Sequence, residues 1–147
     1  VVKSIFALAV LATMASAVLV TGCDSAERRD AQVVIDAIRR FRQAQAEDIP
    51  PLVEALKATE CKFEDSCRAK TACLKTGEPT AKAIKLKSNA ERVLHGIDSG
   101  KLETDSAEAL TVLKGLDDAS ALLKEGQAAI PACDEAVDAL KRKYSAY

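Results

Sequence analysis

Four cysteines, Cys61, Cys67, Cys73 and Cys133, restrict this chain more than any other feature. Two residues six apart on an α-helix are separated by about 9 Å of rise and about 120° of rotation, which puts their Cα atoms roughly 10 Å apart. A disulfide needs Cα atoms within about 7 Å. If the four pair among themselves, each of the three possible pairings joins two members of the 61, 67, 73 trio and sends the third to Cys133. Residues 61–73 then cannot form one unbroken helix. The apolar pattern is weakest at 62–66, so the break is expected there, with Cys61 closing one helix and Cys67 opening the next. Residues 68–72 (RAKTA) read as helical, which disfavours a 67–73 bridge. The favoured pairing is Cys61–Cys67 with Cys73–Cys133. Cys61–Cys73 with Cys67–Cys133, and Cys67–Cys73 with Cys61–Cys133, stay open.

Whether those thiols oxidise depends on compartment, and the first residues bear on that. Lys3 is the only charged residue before Cys23, and Ile5 to Val20 is an uncharged, mostly apolar run of 16 residues. An apolar core of this kind ending in small residues reads as a secretory signal. It is shorter than the ~20 residues of a membrane span. The run ends in Val20-Thr21-Gly22-Cys23, which resembles the lipobox of bacterial lipoproteins: aliphatic, small, Gly or Ala, then Cys. The resemblance covers residues 1–23. It implies that residues 1–22 are a signal peptide, that Cys23 is the lipidation site, and that residues 23–147 form a domain anchored to a membrane by acyl chains. Multiple chains hold a protein stably where one is marginal. The implied location is the cell membrane or the outer membrane, facing the periplasm or the exterior. Asp24, after the cysteine, resembles the inner-membrane retention signal of enteric bacteria, and the choice of membrane stays open. Export favours oxidation, and an even number of remaining cysteines reads as two disulfides.

Past Cys23 the chain reads as helix, turn, helix. Asp24 and Glu27 have capping-box spacing. Val33, Val34, Ala37, Ile38, Phe41 and Ala44 follow at helical intervals, giving a helix over about 25–47. Pro50 and Pro51 end it, and Pro51 suits the first turn of the next. That helix carries Leu52, Ala55, Leu56 and Thr59. Asp65 and Ser66 are placed to cap a short helix to about Leu74. Thr76-Gly77-Glu78-Pro79 then reads as a stop and a restart, with Gly77 past the helix end. A helix over about 79–98 would bury Ala83, Leu86, Ala90, Val93 and Ile97, and Gly100 would close it. Asp105 and Glu108 repeat the capping spacing before a helix over about 105–128 with a stripe of Ala109, Leu113, Leu116, Ser120 and Leu123. Pro131 breaks it, and Cys133, Val137, Leu140 and Tyr144 line the last helix. No segment alternates like a strand. The expected fold is all-α: an antiparallel bundle of about five helices with two disulfides.

The function classes narrow by what is missing. Twenty-one basic against 22 acidic residues, with no block of like charge, exert no long-range pull on nucleic acid. There is no Trp, and beyond Cys23 the aromatics are Phe41, Phe63, Tyr144 and Tyr147, which disfavours sugar and nucleobase sites. The spacing C-x5-C-x5-C matches no zinc, thioredoxin or haem pattern, so no metal or cofactor is expected. His95 is the only histidine, near the end of its helix, where the dipole favours a surface imidazole. Glu64-Asp65, Asp117-Asp118 and Asp134-Glu135 are adjacent carboxylate pairs, but neighbouring helical positions point about 100° apart. Two basic faces stand out: Arg28, Arg29, Arg39, Arg40 and Arg42, suited to anionic headgroups, and Lys82, Lys85, Lys87 and Arg92, suited to a partner. The reading is a non-enzymatic structural or interaction lipoprotein that meets an envelope protein. The alternatives are an inhibitor or immunity-type lipoprotein blocking a secreted enzyme or toxin, and a carrier of a small apolar ligand.

Overall fold

A computed structural model describes residues 25–144. The signal peptide at 1–22, Cys23 and the capping role of Asp24 lie outside the described residues. Five α-helices follow one another: α1 (Ala26–Arg42), α2 (Ile49–Ala58), α3 (Glu64–Asp98), α4 (Ala107–Ala128) and α5 (Ile130–Tyr144), with a single 3-10 turn at Ala46–Asp48 before α2. The described residues contain no strand. The fold is all-α and antiparallel, closed by disulfides Cys61–Cys67 and Cys73–Cys133.

The spine is α3. Its 35 residues make it about 50 Å long at 1.5 Å per residue. The expected stop at Thr76–Pro79 is not there, and the reason lies in packing. A Cβ on Gly77 would sit 2.9 Å from Val53 Cγ2 and 3.4 Å from Phe41 Cζ, so this glycine lets α1 and α2 close onto the spine rather than ending it. Pro79 removes one backbone donor, a helix-interior loss of roughly 3 kcal/mol. It is nevertheless buried, and the neighbouring Thr80 hydroxyl donates to the Thr76 carbonyl at 2.7 Å. Burial of the ring and of the helix faces around it outweighs the local penalty.

The antiparallel partner of the spine is α4 followed by α5. Reading down α3 from its far end, Arg92 pairs with Glu108, Leu86 lies beside Gly115 and Thr76 and Thr80 beside Gly126, Cys73 joins Cys133, and Asp65 meets Lys143. Ala129 alone separates α4 from α5, and Pro131 sits in the first turn of α5. The expected break at Pro131 is present, two residues early.

Caps differ from expectation by a residue or two. Ser25 caps α1, its hydroxyl accepting from Arg28 N–H at 3.1 Å, and Ser106 caps α4 through Ala109 N–H at 3.2 Å; Asp105 does not. Asp65 and Ser66 cap nothing: α3 starts behind Phe63 with no side-chain cap of its own, and Ser66 is fully buried. Helix α1 stops at Arg42, short of 47, and Pro50 and Pro51 lie in the first turn of α2 instead of ending α1.

Two cores follow from this layout. The larger joins α1, α2, the first half of α3 and α5 around Val34, Ile38, Phe41, Leu56, Cys73 and Leu140. The smaller lies in the two-helix arm formed by the second half of α3 and α4, and consists of Ala90, Val93 and Val112 with Ile97, Leu102 and Ala109. Three expected stripes are rotated. Val33 is 55% exposed while Ile35 is buried, Val53 replaces Ala55, and on α4 the buried line is Val112, Ala119 and Gly126, leaving Leu116 and Leu123 at the edge.

Candidate functional site

Three chain segments meet at one end of the molecule. The first is the start of α1. Its Asp30 carboxylate accepts from Lys62 N–H at 3.0 Å and Phe63 N–H at 3.3 Å, fixing the connection directly ahead of α3. The second is the 59–63 connection, where the Cys61–Cys67 bridge spans Cα atoms 5.2 Å apart. Lys70 donates to the carbonyls of Lys57 and Thr59 at 2.7 and 2.6 Å and so caps the end of α2. The third is the end of α5, with Lys141, Arg142 and Lys143 in its last turn. Tyr144 hydroxyl donates to Glu27 at 3.3 Å, which ties the end of α5 to the start of α1.

Asp65 is the electrostatic hub of this end. It accepts from Lys143 and from Arg68. The hydrogen bond from Lys143 is the main reason its carboxyl is held below the ordinary carboxylate value, and the charges of Lys143 and Arg68 add to it against some desolvation. The same bond raises the Lys143 ammonium above the usual lysine value. Six basic residues, Arg28, Arg29, Lys62, Lys141, Arg142 and Lys143, lie on these three segments, interspersed with Glu27, Asp30 and Glu60, and Arg68 follows in the first turns of α3. Cys23 stands two residues before Ser25, the cap of α1.

Two open grooves border the helices. One, of about 530 Å³, runs between α1 and α5 over Ile35, Ile38 and Val137, with Arg39, Arg42 and Lys141 at its rim. The other, of about 730 Å³, runs between α3 and α4 over Leu86 and Leu122, with Lys82 and Lys85 on one lip and Asp118 and Glu125 on the other.

The two basic faces expected from sequence do not survive as single patches. Arg39 pairs with Asp36 at 2.7 Å and Arg42 with Asp134, and Arg28 and Arg29 are each engaged in contacts. On α3, Lys82 and Lys85 line the groove, whereas Lys87 pairs with Glu91 at 3.6 Å and Arg92 with Glu108 at 3.1 Å. One member of each adjacent carboxylate pair is committed to a cation: Asp65 to Lys143, Asp118 to Lys114 and Asp134 to Arg42. His95 is exposed on the arm. Among the described residues no group of three or more His, Cys, Asp or Glu is arranged to hold a metal ion, and no helix is long and apolar enough to cross a membrane. The roles of Asp30 and Lys70 escaped sequence reading. Their partners lie 32 to 33 and 11 to 13 residues away, and neither sits in a recognisable motif. No protein family, no curated protein and no solved structure matches this chain.

Proposed function

We propose that the chain is the precursor of a bacterial lipoprotein: residues 1–22 are removed, Cys23 carries the lipid, and residues 23–147 act without catalysis as a structural or protein-interaction domain at the membrane of the cell envelope. The observation that carries the reading is the Val20-Thr21-Gly22-Cys23 run placed directly before α1, which starts at Ala26. So short a tether would seat the four-helix head on the bilayer. The end presented to the headgroups would be the one formed by the start of α1, the 59–63 connection and the end of α5, where Lys62, Lys141 and Arg142 would each contribute up to about 1 kcal/mol near an anionic surface. The two disulfides suit an oxidising compartment.

The interaction role is supported by the arm. Leu94, Leu116 and Leu123 are 51%, 40% and 41% exposed. At 100° per residue they fall on one side of the arm, flanking the line that packs α3 on α4. Leu116 and Leu123 stand seven residues apart on α4 and Leu94 nearer the far end of the arm, leaving apolar side chains along that side for a partner to cover. The arm begins beyond the head and points away from the anchored end, where an envelope protein would meet it.

Expression of the full chain and of Cys23→Ala in bacteria, followed by detergent phase partitioning, tests the anchor. The native protein should enter the detergent phase, and Cys23→Ala should stay aqueous or unprocessed. A processed Cys23→Ala protein still retained in membranes would refute the reading.

A further inference from the structure

We propose that a second copy of this chain docks on the groove between α3 and α4, giving a parallel dimer of arms. The charges on the two lips carry the proposal. Lys82 and Lys85 project from α3, Asp118 and Glu125 from α4, and the floor between them is Leu86 and Leu122. Gly115 lies against Leu86, so Asp118, one turn further along α4, comes level with the Lys82–Lys85 turn of α3. Lys82, Lys85 and Glu125 form no ion pair among the described residues, and Asp118 is held only by Lys114 of its own helix at 2.8 Å, both side chains being half or more exposed.

A groove with one basic and one acidic lip is self-complementary under a two-fold axis laid along it. That operation turns the α3 of one copy onto the α4 of the other and sets each basic lip against an acidic one, as a closed isologous contact requires. An axis across the groove would place α3 on α3 and oppose like charges. The charge pattern therefore selects the parallel arrangement, with four arm helices side by side and the half-buried leucines of both floors between them. It also adds to the arm the second packing layer that two helices lack: its present core is Ala90, Val93 and Val112 with three flanking residues.

The parallel arrangement has both copies starting α1 at the same end. On the lipoprotein reading both anchors then enter the same membrane, an agreement that rests on that reading; the charge match itself does not. The leucines Leu94, Leu116 and Leu123 lie on the opposite side of the arm and stay free in the dimer.

The test is a mixed-isotope cross-link. Full chain made with natural nitrogen and full chain made with nitrogen-15 are mixed in detergent and treated with a carbodiimide, which joins a lysine amine directly to a carboxylate. Cross-linked peptides joining 85 to 118 are expected with one half light and one half heavy. Lys85→Glu should weaken association by about tenfold, because like charges then face each other, and the double exchange Lys85→Glu/Asp118→Lys should restore it. Sedimentation reads the change, and circular dichroism checks that the helices persist. Cross-links found only within one chain, a protein monomeric at all concentrations, or a different envelope protein occupying the groove would overturn the proposal. Repeating the experiment on Cys23→Ala separates the two readings: a dimer without an anchor leaves this proposal standing when the anchor reading fails.

Discussion

Glycine does two opposite jobs in this protein, and the difference is measurable one residue at a time. A Cβ on Gly126 would lie 2.6 Å from Thr80 Oγ1 and 3.0 Å from the Thr76 carbonyl oxygen, which belongs to the spine's backbone and cannot turn aside. A Cβ on Gly115 would meet nothing nearer than Leu86 Cδ2 at 3.8 Å, an ordinary contact. Helix propensity favours alanine over glycine by about 1 kcal/mol at either site. Gly115→Ala should therefore stabilise the protein by up to about 1 kcal/mol. Gly126→Ala should destabilise it by about 1–2 kcal/mol, since overpacking exceeds the propensity gain. Urea unfolding of the two variants side by side gives the check, and equal shifts of one sign would show that the close approach of α4 to α3 is wrong.

At the scale of elements, helix ends are held by residues from other helices. Asp30 of α1 holds the Lys62 and Phe63 N–H groups ahead of α3, Lys70 of α3 caps α2, and Asp65 of α3 binds Lys143 at the end of α5. The Asp65–Lys143 pair makes the docking of α5 depend on pH, with a sign that follows from the shifts. Lys143 holds the Asp65 carboxyl below its ordinary 3.8, so the contribution is complete above that value and is lost as pH falls through the lower folded-state value. Lys143 is raised above its ordinary 10.5, so the same pair fades again at the alkaline end, as pH rises through that higher value. The difference in urea midpoint between the native protein and Asp65→Asn should be constant from pH 5 to 9 and shrink below pH 4. A difference that persists unchanged at pH 2.5 would remove the pair from the account. The effect is small, because both groups are solvent-accessible and surface pairs are screened.

The whole molecule is a compact head with a two-helix arm, and the disulfides belong to the head. Cys73–Cys133 joins the spine to α5 inside the larger core, with both residues buried. It closes a loop of 60 residues, against six for Cys61–Cys67. In the chain-entropy model those loops correspond to about 4 and about 2 kcal/mol. Replacing Cys73 and Cys133 by alanine should therefore lower stability by roughly twice as much as replacing Cys61 and Cys67, read by denaturant unfolding of the two double variants. The opposite order would mean that the connection at 59–63, not the docking of α5, limits stability.

What the sequence determined by itself is whatever depends on near neighbours or on counting. Helical periodicity set the all-α class. The six-residue spacing of the cysteines demanded a break between α2 and α3, and it falls at 59–63, overlapping the expected 62–66. The favoured pairing, Cys61–Cys67 with Cys73–Cys133, is the one the fold contains. What only the tertiary structure decided is what depends on partners distant in sequence. Gly77 and Pro79 carry strong local stop signals, yet α3 passes through both because Phe41, Val53 and the end of α4 pack against them. The buried line of α4 runs through Val112, Ala119 and Gly126 rather than through its leucines, since the close approach of α3 there admits small side chains and turns large ones to the rim. Four basic residues on one stretch of helix became two on a groove and two in ion pairs, because the acids that answer them come from α3 itself and from α4. Local rules price each residue against its own helix, whereas packing prices it against a neighbour whose distance along the chain leaves no local trace.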